Sequence, residues 1–387
     1  MSSHITLKSI GYARLAIAIA LLLGVIGGAL VNPAQSFAMD PPELAEADAA
    51  VLLDKGGNIL YSRNPEKEEL PASTTKVMTA IVALESGHKL DETVSIAVTE
   101  FEGPSQMVGY TAEDKINLAE LIRVMLVYSG NDAAYNVAVH CGGSEEAFVK
   151  KMNEKASELG LVHTHFMNPH GLEQDDHYTC AIDLARIGKY AMEKHPFIAQ
   201  AVASRTVDTS IGSEAITLRS TDFLLDTFDG MRGIKTGWVA DVFTFVGASG
   251  RGSVQFYTSV LGCPTESGRY SETATLMEWG YANYATRDAA KSGWLVGIRP
   301  YAFNFGLRTV LRTDSNTTVQ AWPEGVGLSY SSAVCKPNRL LDTSKPYGRI
   351  ELKQKESNLG GPSYVTDATP TRASALPIFA LPLFEEA

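Results

Sequence analysis

Three short segments carry groups that together could move an acyl group onto a serine: Ser73-Thr74-Thr75-Lys76, Ser129-Gly130-Asn131 and Lys235-Thr236-Gly237. A serine hydroxyl is a poor nucleophile until a neighbouring base takes its proton, and a lysine can be that base only when its pKa is pulled down. Ser73 is the candidate nucleophile and Lys76 its general base. Partial burial and repulsion from a second cation, Lys235, would keep Lys76 neutral. Lys235 would also attract the anionic end of a substrate. Ser129 would pass the proton towards the leaving amine, and the Asn131 side chain would hold the substrate's own amide. The backbone N–H groups of Ser73 and Trp238 could face the developing oxyanion. This chemistry calls for no histidine, metal or cofactor.

Each segment alone is unspecific. Ser86-Gly87-His88-Lys89 repeats the first pattern and Ser62-Arg63-Asn64 the second. Context separates them. Ser73 precedes Val77, Met78, Ile81, Val82 and Leu84, apolar residues spaced three and four apart as on a buried helix face, so Ser73 opens a helix with Lys76 on the same face. Ser86 stands where that helix ends, beside Gly87. Ser129-Gly130-Asn131 falls between two helical stripes and reads as an interhelical loop. Lys235-Thr236-Gly237 is placed at a strand end, with glycine allowing a ligand close to the backbone. A helix cap, a turn and an edge-strand lysine would explain the three segments one at a time. They do not explain the three together.

The positioning elements are a hairpin, helices, strands and one more helix. Residues 49–53 and 58–62 flank Asp54-Lys55-Gly56-Gly57 as a hairpin. Helices are expected at 74–86, 117–128, 132–141 and 145–159, the last stopped by Gly160. Strands at 243–248 and 254–261 precede a helix from about 270 to 284. Strands first, helices in the middle and strands again describe an α+β domain with a sheet drawn from both chain ends. From about residue 289 short apolar runs broken by Gly, Pro, Asn, Asp and Ser indicate a small β-rich domain.

With these motifs in place the chain resembles the D-alanyl-D-alanine carboxypeptidases, the low-molecular-mass penicillin-binding proteins of the S11 serine peptidase family. The likeness covers residues 45 to 288. It includes Asn168-Pro169-His170-Gly171-Leu172, His177-Tyr178-Thr179, the helix from Ala181 to Met192, Asp229-Gly230-Met231, Gly268-Arg269 and Leu276-Met277-Glu278-Trp279-Gly280-Tyr281. The resemblance implies an antiparallel sheet with helical layers and an all-helical lobe, the penicillin-binding/β-lactamase-like fold, with the site between them. It implies that Lys235, Thr236 and Arg269 hold a terminal carboxylate. The implied substrate is a peptidoglycan stem peptide ending in D-Ala-D-Ala, and β-lactams are the implied covalent inhibitors. Two stretches depart from the family: Trp238-Val239-Ala240-Asp241-Val242-Phe243 after the third motif, and Ser220-Thr221-Asp222-Phe223-Leu224-Leu225 before it. Trp238 would narrow the pocket.

The rivals differ in one loop. A class A β-lactamase adds a loop glutamate with an asparagine three or four residues on, and Glu173-Gln174-Asp175-Asp176-His177 lacks that asparagine. One of Glu173, Asp175 and Asp176 could still place a deacylating water. A β-lactamase-like hydrolase and a D,D-endopeptidase remain alternatives on the same chemistry. A non-catalytic peptidoglycan-binding protein is the alternative of another class, disfavoured because every reactive group is present. His163, His165, His170 and His177 could suggest a metal, but structural zinc sites use tighter Cys/His pairs; these are expected to be loop and core histidines.

Composition bounds the rest. A formal charge of −11 over 387 residues, with no run of five basic residues, argues against nucleic acid. An acidic chain that binds a carboxylate must gather cations locally, and Lys235 with Arg269 would do so. Lys8 and Arg14 precede an apolar stretch from Leu15 to Val31 and then Ser36-Phe37-Ala38, so residues 1–38 read as a signal peptide of an exported protein. The catalytic domain is expected at 39–288, the β-rich domain at 289–366 and a tail at 367–387. Leader or tail could hold the protein to a membrane, although Pro377, Pro382 and the acidic end work against a membrane-lying helix. Cys141, Cys180, Cys263 and Cys335 form neither a compact disulfide framework nor a Cys-x-x-Cys pair, and buried free thiols are expected.

Overall fold

The computed structural model of the chain describes residues 40–290 apart from 100 and 102–104, and beyond 290 a set of strands with a few turn residues. The expected leader, Cys335 and most of the tail lie outside the described residues. The hairpin forms as β1 (Ala49–Asp54) and β2 (Ile59–Arg63). A 3-10 turn at Ala72–Thr75 leads into α1 (Lys76–Glu85), followed by the short antiparallel pair β3 (Thr93–Ser95) and β4 (Lys115–Asn117). Next come α2 (Leu118–Val127), α3 (Asn131–Gly142) and α4 (Glu145–Glu158). Asn117 caps α2 by accepting from the Glu120 N–H at 2.8 Å, and Ser144 caps α4 by accepting from the Ala147 N–H at 3.1 Å. Then follow α5 (Ala181–Lys194), α6 (Pro196–Val202), the hairpin β5 (Thr206–Ile211) and β6 (Glu214–Arg219), and a single turn, α7 (Leu224–Thr227). The central strands β7 (Met231–Val239), β8 (Val242–Arg251) and β9 (Val254–Cys263) precede α8 (Glu266–Asn283).

The main sheet runs β2-β1-β9-β8-β7, antiparallel throughout. Both its faces are covered, so β1 reads apolar at nearly every position. Alternation persists underneath. Ala49, Val51 and Leu53 join the larger core beneath the helical lobe, with Val77, Met78, Leu121 and Val246. Ala50 and Leu52 join the smaller core beneath α8, with Phe245, Phe256, Leu276 and Met277. The α+β reading and the sheet built from both chain ends therefore hold.

Two expectations shift. Helix α8 begins at Glu266, four residues before the expected start, because Thr265 caps it by accepting from the Gly268 N–H at 2.9 Å. Its polar first turn has no apolar periodicity to announce it. The third motif lies inside β7 rather than at a strand end. Cys141, Cys180 and Cys263 are buried free thiols, as expected.

Beyond α8, β10 (Ala285–Ala290) pairs with β13 (Thr317–Ala321), and the expected 288/289 boundary falls within β10. The remaining strands, β11 (Leu295–Pro300), β12 (Leu307–Thr313), β14 (Leu328–Val334), β15 (Gly348–Gln354), β16 (Ser357–Gly360), β17 (Ser363–Thr366) and β18 (Thr371–Arg372), make a second antiparallel sheet.

Candidate active site

Ser73 sits in the 3-10 turn that enters α1, partly exposed, on the wall of a cavity of about 970 Å³. Ser129, Asn131, Thr236, Trp238 and Arg269 line the same cavity. The backbone is held tightly around Ser73. Ala72 has φ 49° and Ser129 φ 76°, left-handed values that cost a non-glycine residue roughly 1–3 kcal/mol each. Both residues adjoin reactive groups. Gly171, at φ 92°, packs so closely on the Ala72 carbonyl that a Cβ would collide with it.

Lys76 is completely buried. Its Nζ lies 2.9 Å from Ser73 Oγ, 2.7 Å from Asn131 Oδ1 and 2.6 Å from the His170 carbonyl oxygen. Burial, with Lys235 as the second cause, holds its pKa well below the ordinary lysine value, against the opposing charge of Asp132. A neutral amine has two N–H bonds and one lone pair. The two carbonyl-type oxygens take the N–H bonds, which leaves the lone pair for the Ser73 hydroxyl.

Ser129 and Gly130 form the corner between α2 and α3, and Asn131 is the first residue of α3. Asp132, wholly buried, accepts from the N–H groups of Val108 at 3.1 Å and Gly109 at 2.9 Å. That carboxylate ties residues 108–110 to α3, just beyond Ser105 and Gln106 on the cavity wall. The Asn131 N–H also donates to the Gln106 carbonyl at 2.8 Å.

The opposite wall is β7, the outer strand of the sheet. Lys235 is fully buried and its pKa is lowered to about 7, by burial first and by Arg269 second, with Asp222 opposing. Its Nζ donates to the Thr236 carbonyl at 3.1 Å and makes a long 3.5 Å contact with Thr221 Oγ1. Thr236 Oγ1 meets Thr221 Oγ1 at 2.6 Å. At Gly237 a Cβ would collide with Thr244 Oγ1 and press on Ala72 Cβ and the Pro71 carbonyl at 3.0 Å. Glycine here therefore admits the turn that carries Ser73 against the strand, where the sequence had suggested room for a ligand.

Arg269 is buried in the first turn of α8. It donates to the Gly237 carbonyl at 2.9 Å, to Glu266 at 2.7 Å and to the Tyr270 hydroxyl at 2.9 Å, while its Nε has no partner among the described residues. It thus braces β7 from α8 and keeps one donor free. Trp238 is 58% exposed on the cavity rim and stacks on Phe243 with centroids 6.2 Å apart.

Sequence reasoning passed over Thr221, Asp222 and Tyr270. The first two lie in a stretch noted only as departing from the family, and nothing in their types announces a role. Asp222 is buried, its Oδ2 lacks a partner among the described residues, and burial raises its pKa to about 7. The four histidines do not assemble. His177 accepts from the Met167 N–H and meets Thr75 Oγ1, His165 meets the Asp176 carbonyl, and His170 accepts from the Leu172 N–H. Glu173, Asp175 and Asp176 are exposed, and the residues lining the cavity do not include them. The sequence had allowed one of them to place a water at the site.

A family model described as D-alanyl-D-alanine carboxypeptidase matches residues 35–265. The chain is 30% identical to a D-alanyl-D-alanine carboxypeptidase of Escherichia coli (strain K12), DacA, over 78% of either chain. It is 30% identical to DacF of Bacillus subtilis, also a D-alanyl-D-alanine carboxypeptidase, over 64% of this chain and 66% of that one. Penicillin-binding protein 5 from Haemophilus influenzae shares the fold at a TM-score of 0.65 and 24% identity, covering 86% of this chain and 99% of that one. No helix among the described residues is long and apolar enough to cross a membrane.

Proposed function

Because the chain belongs to the S11 peptidase family of D-alanyl-D-alanine carboxypeptidases, a family of serine-type hydrolases, we propose that it removes the terminal D-alanine from peptidoglycan stem pentapeptides through a Ser73 acyl-enzyme. One observation carries this reading: Lys76 Nζ, fully buried, lies 2.9 Å from Ser73 Oγ. Lys76 takes the hydroxyl proton as Ser73 Oγ attacks the penultimate D-alanine carbonyl. The Ser73 and Trp238 N–H groups receive the oxyanion, and Ser129 relays the proton to the leaving amine. Lys235 and Thr236, with Arg269, hold the terminal carboxylate, and Asn131 steadies the peptide amide. Lys76, neutral again once that proton has left with the amine, then takes a proton from the attacking water and delivers it to Ser73 Oγ as the ester bond breaks. β-Lactams acylate the same serine and stall there. The exposed positions of Glu173, Asp175 and Asp176 favour slow deacylation over a β-lactamase.

In this reading residues 1–38 direct export to the cell envelope, and the β-rich segment 289–366 acts as a spacer. The test is intact mass after brief exposure to benzylpenicillin, with peptide mapping, beside D-alanine release from a pentapeptide ending in D-Ala-D-Ala. A stable adduct on Ser73 with D-alanine release supports the proposal. Rapid penicillin turnover without release points to a β-lactamase, and neither event to a binding protein.

A further inference from the structure

The far end of the helical lobe holds a second group of convergent side chains. His88 Nδ1 lies 2.7 Å from Glu92 Oε2, and His140 Nε2 lies 3.1 Å from the same oxygen. The three ligand atoms fall within 4.8 Å of one another, the only such group among the described residues. The imidazole rings sit 4.8 Å apart between centroids. All three side chains are partly exposed, so an ion has a path in.

Both imidazole nitrogens lie within hydrogen-bond distance of one carboxylate oxygen, so the three ligand atoms are gathered within the span of one ion's first shell. Around a tetrahedral zinc, with bonds of about 2.0–2.2 Å, neighbouring ligand atoms stand roughly 3.3–3.5 Å apart. The 2.7 and 3.1 Å spacings need to open by less than about 1 Å to match, and the spacing between the two imidazole nitrogens, no more than 4.8 Å, needs to close by at most about 1.5 Å. Two histidines and a glutamate form one of the three-ligand sets that zinc accepts, with water in the fourth place.

The ligands are supported from behind. Glu92 Oε1 accepts the Lys89 N–H at 2.8 Å, the kind of outer hydrogen bond that orients a ligating carboxylate. The Glu92 N–H donates to the Lys89 carbonyl at 3.1 Å, and its own carbonyl accepts from Leu118 at 2.9 Å. His140 occupies the last turn of α3, where the helix dipole favours a cation.

We propose that His88, Glu92 and His140 bind one divalent transition-metal ion, zinc by its donor set. Coordination through His88 Nδ1 and His140 Nε2 places the ring protons on the opposite nitrogens. The ion ties the loop after α1 to the end of α3. Those two helices begin with Lys76 and Asn131. Ten residues of α1 place the ion about 15 Å from the reacting serine, so it braces the lobe and takes no part in acylation.

The test is calorimetric titration of the metal-free full-length protein with zinc chloride, on the parent and on His88→Ala, Glu92→Gln and His140→Ala. We expect one zinc per chain, at least about a tenfold rise in Kd in each variant, a zinc-dependent rise in Tm confined to the parent, and unchanged benzylpenicillin acylation in all. Cobalt(II) supplies an independent readout: an intense tetrahedral visible band in the parent, lost in Glu92→Gln. That band decides the matter should His140→Ala fail to fold. Absence of stoichiometric uptake, or equal affinity in parent and variants, overturns the site.

Discussion

Two lysines stand behind opposite walls of one cavity, both fully buried, Lys76 against Ser73 and Asn131 and Lys235 against Thr221 and Thr236, and their hydrogen-bond surroundings differ. On the helical wall Lys76 has three oxygen neighbours within 3 Å, two of them acceptors only. On the strand wall Lys235 makes one ordinary hydrogen bond and one long contact. Desolvation lowers the pKa of each, and each feels one neighbouring cation and one opposing carboxylate: Lys235 and Asp132 for Lys76, Arg269 and Asp222 for Lys235. Residue type and burial therefore do not set a lysine's role. In the proposed reaction the partner inventory does: the saturated amine serves as the base, and the unsaturated one receives the substrate anion.

The sharpest break of this contrast is Lys76→Ala. Loss of a positioned base removes 10²–10⁴-fold of rate, so we expect the benzylpenicillin acylation rate to fall by about 10³-fold with KM little changed. Lys235→Ala should act on binding instead: kcat/KM for the pentapeptide drops about 10- to 100-fold, mostly through KM, as expected for one lost charge-assisted bond. If both variants lose kcat alone, the two walls do not divide the work.

A pH series sharpens the same contrast. Lys235 must be protonated to hold a carboxylate, and its pKa lies at about 7 in the free protein. KM should rise as pH rises beyond 7. Stability moves the other way. The unfolded chain keeps this lysine protonated up to 10.5 while the folded one releases its proton from about 7, so the unfolded state binds more protons in that window and this group's share of stability grows with pH. Asp222→Asn removes the charge that raises the Lys235 pKa, and the KM rise should then begin at lower pH. Steady-state kinetics beside thermal unfolding from pH 6 to 9 checks both signs.

How far the sequence carried this is itself uneven between the walls. The helical wall was legible because Ser73 and Lys76 stand three apart at the head of a strongly periodic helix, and Ser129-Gly130-Asn131 interrupts two others. The strand wall was legible only at Lys235, Thr236 and Gly237. Thr221 and Asp222 meet them through a register between distant segments, and no local period encodes such a meeting. Arg269 was expected ahead of its helix and lies inside it, because a Thr265 cap and a polar first turn leave no apolar trace. The role of Gly237 was misplaced for a similar reason: what its missing Cβ avoids, the Pro71 and Ala72 backbone turn and Thr244, is visible only once the strand and the turn are packed.

Gly237→Ala tests that contact. The added methyl must displace the turn carrying Ser73 or push β7 outward, and overpacking of this kind costs about 1–3 kcal/mol. We expect a lower Tm together with slower acylation, since the same shift separates the oxyanion donors. A variant with normal Tm and normal acylation would mean that the two walls can slide apart without cost.

Trp238→Ala should do least. The side chain is 58% exposed and rests on Phe243 with its ring 13° from parallel, so losing the stacked pair should cost no more than about 1 kcal/mol. Its backbone N–H, the group assigned to the oxyanion, survives the substitution. Acylation by benzylpenicillin should therefore stay within about threefold of the parent, with any change appearing in KM for the longer peptide that reaches the rim. A collapse of acylation in this variant, with Tm unchanged, would move the work from the main chain of β7 to its exposed ring. The strand wall would then be a recognition surface first and an oxyanion support second.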